Sequence, residues 1–275
     1  MDNRSMERIR FHYGIERELG DRLRKAEKHD RYKLYGTIYD ELYDRVPDIP
    51  HLLKRSNYEL LEKENIVKLR FFRNFLKQNY NVMEIGPGDC SLGCEIAKEV
   101  GRYIAIDVSD RIVKSANLPN NFKFILSDGC SIPLENESVH LAFSDQVIEH
   151  LHPDDALEQL ENIYNVLMPG GRYICITPNR LYGPHDVSTH FDDVASGLHL
   201  KEYSASELID IFYNAGFRKV HAYTFINESM VFILPKFIVR RVEHVLDIFP
   251  RSIRKGLACS LLFKWILRAR VVGIK

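Results

Sequence analysis

Gly86-Pro87-Gly88 and Asp107, which stands 21 residues after Gly86, are the positions whose types and spacing best suit chemistry. Glycine lets the chain turn sharply and lets a ligand approach bare backbone. An aspartate at the tip of the next apolar run can accept hydrogen bonds from two ribose hydroxyls. Together they predict a nucleoside-type ligand. Other polar residues follow later apolar runs: Asp128-Gly129-Cys130, Ser144-Asp145-Gln146 and Thr177-Pro178-Asn179. Asp128 could accept from an adenine amine, or could simply form the turn that an Asp-Gly pair favours.

Two histidine clusters offer proton transfer. One is Glu149-His150-Leu151-His152; the other runs from Gly183 to His199 and holds His185, Asp186, His190, Asp192 and Asp193. Histidine is the usual base near neutral pH, and long loops are commonly lids or binding segments. His150, His185 and His190 are therefore the candidate catalytic bases, and 183–203 the candidate binding loop. For each residue the plainer alternative is a supporting or solvated side chain. The His and Asp spacing fits no defined ligand pattern, so no metal site is assigned. Cysteines at 90, 94, 130, 175 and 259 show no paired spacing, which suits reduced thiols in a cytoplasmic protein.

These residues need elements to position them. Strands are predicted over 81–85, 103–107, 122–126, 139–144, 171–177 and 218–225, with a last one from Val271 to Ile274. Helices are predicted over 91–99, 110–117, 154–167 and 205–215. Pro169-Gly170-Gly171 stops the third of these, and Ser204 with Glu207 forms a capping box for the fourth. Such alternation specifies a parallel sheet covered on both faces. Every candidate site residue of the core then falls at a strand's carboxyl end or in the loop beyond it, where such sheets bind ligands.

Two flanks differ from this core. Residues 1–79 read as an N-terminal helical cap ahead of a domain over 80–275, with helical spacing from Ile9 to Lys28 and from Leu60 to Leu76. Tyr32, Tyr35, Tyr39 and Tyr43 share one helical face that either contacts a second substrate or packs on the core. The segment 236–268 reads as a basic amphipathic helical insertion before the last strand. From 236 to 275 there are ten Lys/Arg and two acids, a net of 10 − 2 = +8. Its apolar spacing (Phe237, Ile238, Val242, Val245, Leu246, Phe249, then Leu257, Leu261, Leu262, Trp265, Ile266) suits packing on the domain, a homodimer contact, or a peripheral membrane contact. A net charge of zero argues against a nucleic-acid partner. Arg240, Arg241, Lys264 and Arg268 interrupt the most apolar region, so no membrane span is expected. The first residues lack a signal-peptide pattern.

The ordered set Glu84-Ile-Gly-Pro-Gly88, Ile106-Asp-Val-Ser109, Ser127-Asp-Gly129, Leu141-Ala-Phe-Ser144, Glu149-His-Leu151 and Leu167-Met-Pro-Gly-Gly-Arg172 resembles the class I S-adenosylmethionine-dependent methyltransferases. Within that class it is most similar to the branch with the ubiquinone and menaquinone biosynthesis enzymes. The resemblance covers about residues 80–226. It implies an α/β, doubly wound, Rossmann-like sheet of seven mostly parallel strands, the last antiparallel, with helices on both faces. It also implies S-adenosyl-L-methionine as cofactor, bound by Glu84, Gly86, Gly88, Asp107, Val108, Asp128, Gly129, Ser144 and Gln146. Asp107 would take the ribose and Asp128 the adenine. The implied activity is methyl transfer to an oxygen or nitrogen of a small metabolite, glycan or lipid-linked intermediate. One departure stands out: the family's usual third glycine, two residues after Gly88, is Cys90 here. Alternatives are a non-catalytic cofactor-binding scaffold and, less favoured, a nicotinamide dehydrogenase. The latter wants G-x-G-x-x-G, whereas position 91 is serine.

Overall fold

The computed structural model describes residues 3–50, 58–111, 113, 118–226, 230–258, 260, 263, 267 and 270–275. The strands are β1 (Asn81–Ile85), β2 (Arg102–Asp107), β3 (Phe122–Leu126), β4 (Val139–Asp145), β5 (Leu167–Ile176), β6 (Lys219–Ile226), β7 (Met230–Leu234) and β8 (Arg270–Ile274). They form one sheet in the order β3-β2-β1-β4-β5-β8-β6-β7. β1 to β5 pair in parallel, while β8 runs antiparallel between β5 and β6. The expected count of seven is corrected to eight. β7 is an added edge strand, antiparallel to β6. Its sequence, Met-Val-Phe-Ile-Leu, lacks the alternation that marks a half-buried strand. Phe232 and Ile233 are left exposed at that edge.

Side-chain alternation along the central strands decides what each face meets. In β1, Met83 and Ile85 join the larger core with α1 (Met6–Lys25), α2 (Lys28–Arg45), α5 (Pro153–Val166) and α6 (Ala205–Asn214). Val82 faces the other side, towards α3 (Tyr58–Phe72) and α4 (Ser91–Ala97), where Phe71, Phe72, Leu92 and Ile96 are buried. Strands buried on both faces are what a parallel sheet requires.

The two flanks are tied down by buried charged side chains. On α2, Arg31 donates to both carboxylate oxygens of Asp155 on α5 at 2.6 Å each, and the Tyr35 hydroxyl adds a third contact at 2.8 Å. Both partners are buried. In the tail, α7 (Lys236–Asp247) and α8 (Arg251–Ala258) follow β7. Glu243 of α7 is buried and accepts from the Ala205 and Ser206 amides at the start of α6, and from the Asn179 side chain. The capping box of Ser204 and Glu207 forms as expected. Most of the helix expected over 110–117, and Leu261, Leu262, Trp265 and Ile266, lie outside the described residues.

Candidate active site

A cavity of about 850 Å³ opens at the carboxyl ends of β1, β2 and β4. Its lining includes Gly86, Gly88, Asp107, Val108, Gly129 and Gln146. Gly86 and Gly88 adopt φ of +67° and +57°, conformations that side chains disfavour. A Cβ on Gly86 would lie 2.5 Å from Val147 Cγ2, so glycine also keeps this turn open. Asp107 is oriented from behind, its Oδ1 accepting from the Val108 amide at 2.6 Å. Gln146 is exposed at the end of β4 with φ of +61°. A strained backbone at such a place is common in functional sites.

Cys90 explains the departure from the usual glycine pattern. It takes φ of +61° at the start of α4, a geometry glycine would adopt without cost. Its side chain is fully buried in the α3/α4 core, and burial pushes the thiol up to about 12. That buries an inert thiol instead of presenting a reactive one.

Three of the expected cofactor residues sit behind the lining. Glu84 points into the α3/α4 side and accepts from the Tyr103 hydroxyl; burial pushes its carboxyl up to about 8. Ser144 is fully buried, 2.7 Å from the Tyr173 hydroxyl. The Asp128 carboxylate accepts from the Ser131 hydroxyl (2.6 Å) and the Ser131 and Cys130 amides (2.7 and 2.9 Å). Burial opposes its ionisation, yet these bonds hold it below the ordinary carboxylate value. Its neighbours Gly129 and Ser131 do line the cavity.

The same cavity is lined by His150, His185 and His190, all three of the expected bases. His150 Nδ1 lies 3.1 Å from the Leu198 carbonyl, and its ring meets Tyr39 and His199 edge-on. His185 places Nε2 3.1 Å from the Asn179 carbonyl, so Nε2 carries the proton and Nδ1 the lone pair. Burial lowers its pKa, which favours the neutral, basic form. His190 is exposed at the rim.

Further lining residues escaped the sequence reading. His12 and Glu16 of α1 face the cavity, with His12 Nε2 2.8 Å from Glu16 Oε1. The signal was present: they share the stripe of Ile9, Leu19 and Leu23, where two polar groups interrupt an apolar face. Of the two histidine clusters named from the sequence, His199 also lines the cavity and Glu149 is fully buried; burial pushes Glu149 up to about 7. The tyrosine face of α2 divides between both readings. Tyr35 is buried in the core, with Tyr39 and Tyr43 packed against it, and all three also line the cavity. The 183–199 loop is gripped from both flanks. Arg24 donates to the Ser196, Gly197 and His199 carbonyls, and Arg251 to those of Gly183, Thr189 and Asp192.

The comparisons with known proteins agree with this geometry. Residues 83–175 match the family described as "Methyltransferase domain". A Mycolicibacterium smegmatis protein described as a probable S-adenosylmethionine-dependent methyltransferase is 30% identical over 141 residues, which span 50% of this chain and 51% of that protein. Phosphoethanolamine N-methyltransferase 1 of Triticum aestivum is 30% identical over 97 residues, 33% of this chain and 20% of that one. The chain therefore matches about half or less of the length of these relatives. A solved S-adenosylmethionine-dependent methyltransferase from Archaeoglobus fulgidus shares the fold, with a TM-score of 0.55 and 18% identity over 82% of this chain and 100% of that one. Residues 83–175 thus carry a methyltransferase domain, on a sheet with the fold of a solved S-adenosylmethionine-dependent methyltransferase, and the cofactor of that class is S-adenosylmethionine.

Proposed function

We propose that the chain transfers a methyl group from S-adenosylmethionine to an oxygen or nitrogen of a small metabolite, glycan or lipid-linked intermediate. The observation that carries this is one cavity lined both by the glycine turn and Asp107 and by His150, His185 and His190, which we read as its donor and acceptor ends. The bound cofactor supplies an electrophilic methyl sulfonium. Gly86 and Gly88 would admit its amino-acid portion against the backbone, and Asp107 would hold the ribose. Val108, Gly129 and Gln146 would complete that end, with Glu84, Asp128 and Ser144 supporting it. His185, neutral and with Nδ1 available by its tautomer, is the leading base to take the acceptor's proton; His150 and His190 stand at the same end.

Residues 1–79 act as the cap in this reading. α1 and α2 contribute His12, Glu16, Tyr39 and Tyr43 to the lining, which excludes water from the transfer. The Tyr39 hydroxyl is buried with no hydrogen-bond partner among the described residues and would meet a polar group of the acceptor. On α7, Val239, Glu243 and Leu246 face inward, leaving Phe237, Ile238, Val245 and Ile248 exposed near Arg241. That outward face supports a peripheral contact with an anionic membrane and thus a lipid-linked acceptor. Among the described residues no helix is long and apolar enough to cross a membrane. Incubation of metabolite and lipid extracts with labelled methyl donor tests the activity. Label should appear in product with the wild type and disappear with Asp107→Ala; no labelled product from any extract would count against transfer.

A further inference from the structure

We propose that Glu149, His150 and His199 bind one divalent transition-metal ion at the histidine end of the cavity. One potential ligand atom from each lies within 4.8 Å of the other two. Glu149 and His150 come from the short 3-10 turn after β4, and His199 arrives from the far end of the 183–199 loop. Glu149 is fully buried and His199 is 7% exposed.

The hydrogen bonds around the three side chains fix which ligand atom each turns towards the others. The partner of His150 Nδ1 is the Leu198 carbonyl at 3.1 Å, which can only accept. The proton is therefore on Nδ1, and Nε2 is the acceptor nitrogen. His199 repeats the arrangement: its Nδ1 is 2.7 Å from Glu202 Oε1, an oxygen that also accepts from the His185 amide at 2.6 Å. Glu149 Oε2 accepts from the Thr177 hydroxyl at 2.9 Å, while Oε1 is buried with no hydrogen-bond partner among the described residues. A buried carboxylate oxygen left in that state is costly. A metal ion would satisfy that oxygen and take a second and third donor atom from His150 and His199.

Metal-bound histidines commonly donate their second N–H to a carbonyl or carboxylate, as both do here. Two imidazoles and one carboxylate suit zinc, iron, manganese or cobalt and leave coordination positions open. Metal–ligand bonds of about 2.0–2.2 Å place ligand atoms roughly 3–4 Å apart, so binding would draw the three inward slightly. The open positions would face the cavity through His150 and His199. An ion there would take an oxygen or nitrogen donor of the acceptor, a consequence that rests on the methyl-transfer reading; the ion site itself does not.

Full-length protein stripped with a chelator should be titrated calorimetrically with Zn²⁺ and Co²⁺, and in a separate cell with S-adenosylmethionine. One ion per chain is expected. His199→Ala and Glu149→Gln should weaken binding by at least about 100-fold, and Glu202→Gln by about 10–100-fold. His190→Ala, in the same cavity but outside the triplet, should leave ion affinity within about twofold. An anomalous-scattering map of wild-type crystals grown with Zn²⁺ should place the ion among the three side chains, whatever the variants do. Wild-type protein that binds S-adenosylmethionine but no ion, or an ion located elsewhere, overturns the site. Ion binding without S-adenosylmethionine binding would instead overturn the methyl-transfer reading alone.

Discussion

The two ends of the cavity are built by opposite means. The donor end is backbone: glycine turns and strand tips, contributed by β1, β2 and β4 and held by parallel pairing. The histidine end is side chain: residues from α1, α2, the turn after β4 and the 183–199 loop, held by arginine forks and a buried ion pair. A scaffold of the first kind can serve any acceptor, because the cofactor does not change. The second kind can be rebuilt without touching the sheet, which is how one fold carries many specificities.

Substitutions can pull the two ends apart. The largest effect should be on stability: Arg31→Ala leaves Asp155 charged and buried, at a cost of about 3–5 kcal/mol. Urea unfolding measures it, and the cap should loosen with it. Next, Asp107→Ala removes two hydrogen bonds to a charged acceptor, each worth about 1.5–3 kcal/mol, so cofactor affinity should fall at least about 100-fold. The histidine end should be unaffected, read as unchanged Zn²⁺ affinity.

A smaller effect is pH-dependent. Glu84 has an ordinary value of 4.5 and a folded value of about 8, so between these the native state binds more protons than the unfolded state. Its contribution to stability is then present below pH 4.5 and lost as pH rises towards 8. Glu84→Gln should remove that loss, gaining on the wild type by about 3–4 kcal/mol from pH 5 to 8 in denaturant titrations. An unchanged difference across that range would show that Glu84 is already ionised. The smallest effect is expected from Arg251→Gln, which releases three loop carbonyls. Acceptor KM should rise about tenfold, equivalent to about 1.4 kcal/mol, with cofactor affinity unchanged. Equal loss at both ends would erase the distinction.

The same contrast governs what the sequence made legible. Local patterns identify β1 to β3 nearly to the residue, because apolar runs, glycines and terminal acids lie within a few positions of one another. Cys90 was visible as a departure, but only its left-handed backbone and burial explain why the turn survives. β7 was missed because its uniform apolar run carries no period. At the histidine end, His150, His185 and His190 could be chosen by type. Their meeting with His12, Glu16 and His199 could not, since it depends on helices packing across long chain separations. Arg251 gripping Gly183 from 68 residues away has no local signature at all.

Calorimetric titration with S-adenosylmethionine, comparing wild type with Asp107→Ala and His185→Ala, tests the division of the cavity most directly. Wild type and His185→Ala should bind one equivalent with matching affinity, while Asp107→Ala should bind at least about 100-fold more weakly. Absence of heat with the folded wild type, or a loss on His185→Ala equal to that on Asp107→Ala, would contradict it.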